Sequence, residues 1–102
     1  MLEKYVQQSV IQYLQLKRIF HWRNNTGGVV STYKDRTYFH RYGAIGSPDI
    51  FVIKNGKIFG IECKADNGKQ SENQVVWQKD FEQAGGIYLL VKSVDDVIKI
   101  WG

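Results

Sequence analysis

The sequence predicts an α/β sandwich built around a mixed sheet, and three patterns predict it. Apolar residues recur at helical spacing from Leu2 to about Lys17. Two apolar runs, Ile50 to Ile53 and Ile58 to Cys63, flank Asn55-Gly56, the strongest short-range signal for a two-residue hairpin turn. Ser71-Glu72-Asn73-Gln74 then opens a second helix that leads through Gly85-Gly86 into a further apolar run, Ile87 to Val91. Helices before, between and after strands are the mark of a sheet covered on its faces.

In the first helix Leu2, Val6, Val10, Tyr13 and Leu14 fall on one apolar stripe, with Lys4, Gln7, Gln8, Gln12 and Gln15 outside it. Glu3 lies at the stripe's edge, where on the residues alone it is a first-turn acid complementing the helix dipole. Phe20 to Arg23 is a first strand and Asn24 to Gly28 a loop. Val29 to Tyr33 and Thr37 to Tyr42 form either a hairpin around Lys34-Asp35-Arg36 or an irregular excursion. Gly43 to Pro48 is a tight, flexible approach, and Pro48, the only proline, marks where the next strand begins. The continuously apolar Ile50 to Ile53 implies a strand covered on both faces. Trp77, Phe81 and Ala84 are the inward residues of the second helix, Ile87 to Val91 is a buried strand, and Ser93-Val94-Asp95-Asp96 caps a last helix through Ile100.

The hairpin carries the chemistry. With Asn55 and Gly56 as the turn, Lys54 faces Lys57 and Ile53 faces Ile58, and the same register continued outward sets Asp49 opposite Glu62. Glu62 and Lys64 share a face, because side chains alternate along a strand. Opposed carboxylates with Cβ atoms about 4.5–5.5 Å apart destabilise each other unless a cation intervenes. A lysine helps, and a divalent metal with hard oxygen ligands helps more.

The 102 residues make one domain, residues 1–102, with no repeat or linker. The formal charge of +4 leans towards an anionic partner. Between positions 22 and 42, Arg23, Lys34, Arg36, His40 and Arg41 alternate with Trp22, Tyr33, Tyr38, Phe39 and Tyr42. Such interleaving suits a surface that grips phosphates and packs against sugars or bases; it equally suits a half-buried ribbon whose aromatics face a core. Cys63 is the only cysteine, which excludes an intrachain disulfide and a cysteine-based zinc site. The N-terminal residues lack the apolar run of a signal peptide and no stretch reaches transmembrane length, so the expectation is a cytoplasmic protein with no membrane partner.

Pro48-Asp49 followed by Glu62-Cys63-Lys64 resembles the PD-(D/E)xK nuclease superfamily. Glu3 in the opening helix, Gly46-Ser47-Pro48-Asp49, Ile61-Glu62-Cys63-Lys64-Ala65 and Ser71-x-x-Gln74-x-x-Trp77, in that order, are similar to the VRR-NUC family across almost the whole chain. The resemblance implies a restriction-endonuclease-like three-layer core with a mixed central β-sheet. It implies a Mg²⁺-dependent endonuclease, with Mn²⁺ as a substitute, that nicks DNA at four-way (Holliday) junctions as a homodimer, like small phage and bacterial members. Asp49 and Glu62 become metal ligands with the backbone carbonyl of Cys63, Lys64 the catalytic lysine, and Glu3 an acid reaching the metal directly or through water. Gln74 moves from a capping residue towards one lining the site. Arg23, Lys34, Arg36, Arg41, Ser47 and Lys69 are the residues expected against nucleic acid. Cys63 departs softly from the family, which more often has valine there; only its main chain is required.

Two other readings compete. One is a non-catalytic nucleic-acid-binding module that retains the fold. The other is a basic α/β domain whose Asp49, Glu62 and Lys64 form a surface ion-pair cluster, although such pairs contribute only about 0–1 kcal/mol.

Overall fold

The structure, a computed structural model, describes residues 1–24, 27–42 and 44–102, the side chains of 27–29 and 40–42 excepted. Within them the order is α1 (Glu3–Leu16), β1 (His21–Arg23), β2 (Gly27–Tyr33), β3 (Arg36–Tyr42), β4 (Ile50–Lys54), β5 (Lys57–Cys63), α2 (Glu72–Gln83), β6 (Ile87–Val91) and α3 (Val94–Trp101). Strands β1-β4-β5-β6 form one sheet, and β2 pairs only with β3 in a second. The larger sheet is mixed: β1–β4 and β4–β5 are antiparallel, whereas β6 joins β5 in parallel. A parallel neighbour needs a long crossover, and α2 supplies it.

The register assigns the layers. Val52 pairs with Phe59 and Ile50 with Ile61, so these four share one face. Together with Val6, Val10 and Leu14 of α1 and Val97 of α3 they form the buried core, and the Phe59 ring meets Trp101 edge to face at 5.1 Å. Phe51 and Gly60 point the other way, where Phe51 meets Trp77 and Phe81 of α2 at 5.8 and 6.0 Å. Helices α1 and α3 therefore cover one face and α2 the other. The mixed α/β sandwich expected from the sequence is the architecture observed.

Several local expectations change. Ile53 is 41% exposed, so β4 is not covered along its whole length: α2 reaches Phe51 but not the turn end. Ala84 is exposed at the C-cap of α2, beyond the last inward aromatic. Ser93 makes no side-chain cap; the Asp96 carboxylate instead accepts from the Lys92 N–H at 2.8 Å. Helix α3 runs one residue further, to Trp101, whose ring is anchored on Phe59. The second hairpin is a regular ribbon that turns at Lys34-Asp35, with Gly27, Gly28 and Arg36 already in its strands. In the expected loop and approach, Asn25, Thr26 and Gly43 lie outside the described residues.

Candidate metal centre

The central turn forms as its residues require. Asn55 and Gly56 both take positive φ, 53° and 77°, the conformation of a type I′ turn. From it the ladder runs Lys54↔Lys57 to Ile50↔Ile61 in the expected register. The register ends there. The Asp49 N–H donates to the Ile61 carbonyl at 3.0 Å, one residue out of step, so Asp49 does not oppose Glu62 as a ladder pair. Its carboxylate Oδ2 instead accepts from the Cys63 N–H at 2.8 Å. The acids still meet, because this bend swings the Asp49 side chain over the end of β5.

Three neighbours hold that bend. The Asn24 N–H donates to the Asp49 carbonyl at 2.8 Å, and its Nδ2 donates to Ser47 Oγ at 2.7 Å and the Pro48 carbonyl at 2.9 Å. The Pro48 ring sits on Gly60, where a Cβ would lie 2.8 Å from Pro48 Cγ. Gly46, at φ +82°, presses against the start of α2 so closely that a Cβ would come within 2.4 Å of the Asn73 carbonyl oxygen. The approach to Asp49 is thus tight, as expected, but clamped. Asn24 is the residue that sequence reasoning missed. An Asn after a strand is a generic loop signal, and nothing local ties it to a segment over twenty positions away.

Glu3 arrives from the first turn of α1, whose inner face packs on the core beneath β5. The N-terminal ammonium pairs with Asp66 at 3.2 Å, fastening that end of the helix beside the loop after β5. One carboxylate oxygen each from Glu3, Asp49 and Glu62 then lies within 4.8 Å of the other two. Glu62 is 1% exposed, and its Oε1 has no hydrogen-bond partner among the described residues. Its Oε2 is 3.9 Å from Lys64 Nζ. A buried carboxylate with one bare oxygen, facing two further acids, is the kind of gap a cation fills.

The electrostatics agree. Burial first, then the Asp49 charge, push the Glu62 carboxyl up to about 8; Lys64 opposes this, while the Glu3 charge adds to it. Burial, then Asp49, Glu62 and Glu3, push the Cys63 thiol up. A buried neutral thiol is no nucleophile, so Cys63 offers this site its main chain. Glu3, Asp49 and Glu62 are oxygen donors of the type magnesium and manganese accept.

The other expected site residues lie outside this cluster of acids. Gln74 Oε1 accepts from the Ser71 N–H at 2.9 Å while Ser71 Oγ accepts from the Gln74 N–H at 3.2 Å, a complete capping box that turns the side chain to the helix end. Ser47, expected at a nucleic-acid surface, is buried and donates its hydroxyl to the Ala44 carbonyl at 2.6 Å. Arg23 is exposed on β1, with Nη2 3.4 Å from Gln7 Oε1. Lys34 and Arg36 are exposed on the ribbon and Lys69 on the loop after β5. The side chain of Arg41 lies outside the described residues. No helix among the described residues is long and apolar enough to cross a membrane. No protein-family model matches the chain, and no curated protein matches it.

Proposed function

We propose that the protein is a divalent-metal-dependent endodeoxyribonuclease of the VRR-NUC type, with the restriction-endonuclease-like core of the PD-(D/E)xK superfamily, acting on branched DNA. One observation carries this reading: the carboxylates of Glu3, Asp49 and Glu62 converge within 4.8 Å beside a lysine, around a buried oxygen with no hydrogen-bond partner among the described residues. Burial beside Asp49 pushes the Glu62 carboxyl up to about 8, and a bound cation would favour its ionised form.

Glu3, Asp49 and Glu62 would hold Mg²⁺ or Mn²⁺, with the Cys63 carbonyl as the resemblance implies. Bound there, the ion supplies charge neutralisation at a phosphate and acidifies a water. The remaining work falls to the chain. The Cys63 N–H and the Asn24 clamp fix the Asp49 carboxylate, so its position needs no reorganisation when substrate arrives. Lys64 stands against Glu62 with only 12% of its side chain exposed. Its ammonium there orients an attacking water or stabilises charge growing on the phosphate oxygens. In-line displacement of the 3′-oxygen leaves a 5′-phosphate and a 3′-hydroxyl. A homodimer would present two such sites on a two-fold axis, which matches paired nicks across a four-way junction.

The test is incubation of the protein with a four-way junction, a splayed duplex and a linear duplex, each with Mg²⁺, Mn²⁺ or EDTA. The reading expects metal-dependent cleavage, strongest on the junction and lost in Lys64→Ala. No cleavage of any substrate with either metal overturns it, and cleavage that survives in Lys64→Ala removes Lys64 from the catalytic set.

A further inference from the structure

The β2–β3 ribbon takes no part in the sandwich. Its strands pair with each other and with no strand of the four-stranded sheet, and residues 30–39 are all exposed. The molecule measures 54 × 30 × 27 Å along its principal axes. An isolated two-stranded ribbon is marginally stable in water, so contact with a partner would stabilise one that stands apart from the larger sheet.

Charge says which partner. The segment 17–48 carries six of the fourteen Lys and Arg residues (Lys17, Arg18, Arg23, Lys34, Arg36, Arg41) but only Asp35 of the ten acids. That segment, which runs from the end of α1 through β1 and the ribbon, therefore holds the chain's positive excess. At the tip, Lys34 and Asp35 take positive φ, 49° and 60°, and the Lys34 ammonium lies 5.5 Å from the centre of the Tyr33 ring. Tyr33 pairs with Arg36 and Ser31 with Tyr38, so the two tyrosines and Arg36 share one face. Polar-tipped rings beside a guanidinium suit phosphates, sugars and base edges better than an apolar protein surface.

Dimensions and placement agree. Seven-residue strands extend about 23 Å, and a two-stranded ribbon is one of the two elements that the roughly 12 Å major groove of DNA admits. The chain leaves the body at Asn24 and re-enters it at Ala44. Asn24 is bonded to Ser47, Pro48 and Asp49, and the Ala44 carbonyl accepts from Ser47. The ribbon is rooted in the clamp that positions the Asp49 carboxylate.

We propose that the β2–β3 ribbon is a duplex-gripping arm that enters the major groove beside the scissile phosphate, with Lys34 and Arg36 on the backbone and the Tyr33–Tyr38 face along the groove. This deepens the nuclease reading and rests on it for the choice of DNA.

The test separates the two. Binding of a fluorescent duplex and of a four-way junction is measured by anisotropy in Ca²⁺ across a salt series, for the wild type and Lys34→Ala/Arg36→Ala. Sedimentation and thermal melting of both proteins accompany it. The double variant is expected to bind at least tenfold more weakly near 0.1 M salt, with a log–log salt slope shallower by about 1.8, the value for two lost phosphate contacts. With Mg²⁺ its KM rises while kcat at saturating junction stays within about twofold. Dimethyl sulfate protection of guanine N7 by the wild type, lost in the variant, would place the arm in the major groove. Unchanged affinity and salt slope overturn the proposal even if the protein cuts DNA. A double variant that becomes monomeric while each protomer binds duplex as before also overturns it, and assigns the ribbon to a second copy of the chain. Ribbon-dependent binding by a protein that cuts nothing keeps the arm and loses the nuclease.

Discussion

Without a metal, Glu62 should make this protein less stable as pH rises. The carboxyl's ordinary value is 4.5 in the unfolded chain and about 8 in the folded one, because folding buries it beside Asp49. The native state therefore holds a proton that the unfolded chain releases. A raised folded value contributes stability that is fully present below 4.5 and lost as pH climbs through 8. Between pH 5 and pH 9 the loss from this one group is roughly 4 kcal/mol. That is a large share of the 5–15 kcal/mol typical of such a domain. Urea denaturation in EDTA from pH 5 to pH 9 measures it directly. The wild type should lose most of this stability across the window, whereas Glu62→Gln, neutral throughout, should not. Saturating Mg²⁺ should flatten the wild-type curve, because a bound cation favours the ionised form. A wild-type profile that is flat in EDTA, or the same slope in Glu62→Gln, would refute the assignment of Glu62 as the strained member of the cluster.

Three further outcomes follow from named contacts. Gln74→Ala should cost about 1 kcal/mol in urea denaturation through loss of the reciprocal cap, while the cleavage rate stays within about twofold; a loss of a hundredfold would return Gln74 to the site. Asn24→Ala should cost about 1–3 kcal/mol, since Ser47 Oγ and the Pro48 carbonyl lose their donor, and should lower kcat more than it raises KM. Equal kcat in that variant would mean the clamp does not position Asp49. Gly46→Ala should lower the melting temperature more than Gly56→Ala, because both glycines have positive φ but only the former would drive a Cβ into the Asn73 carbonyl. Equal shifts would show that this approach to α2 is looser than described.

What the sequence revealed and concealed divides along local and non-local lines. Asn55-Gly56 specifies its turn through backbone preference alone, and the alternating pattern then carries the register as far as Ile50↔Ile61. Ser71 and Gln74 satisfy each other within one turn of helix, so their box was legible as well. The same local strength misleads at Asp49. There a tertiary clamp from Asn24 and a side-chain bond to the Cys63 N–H override the ladder. Glu3 has no local reason to join the acids; α1 must first pack on β5 and α3. The ribbon is ambiguous in the sequence because Lys34-Asp35 is a weaker turn signal than Asn-Gly, although both residues adopt the positive φ it needs. Ser47 reads as a polar surface residue and is instead buried, since its hydroxyl closes a bond to Ala44 while receiving one from Asn24.

The central claim is that Glu3, Asp49 and Glu62 form a divalent-metal site, and calorimetric titration with Mn²⁺ at pH 8 tests it most directly. The wild type should bind at one acid cluster with release of about half a proton, since Glu62 is half protonated at pH 8, and both the binding and the proton release should disappear in Asp49→Asn. Absence of Mn²⁺ binding in the wild type, or binding unchanged in Asp49→Asn, would contradict the claim.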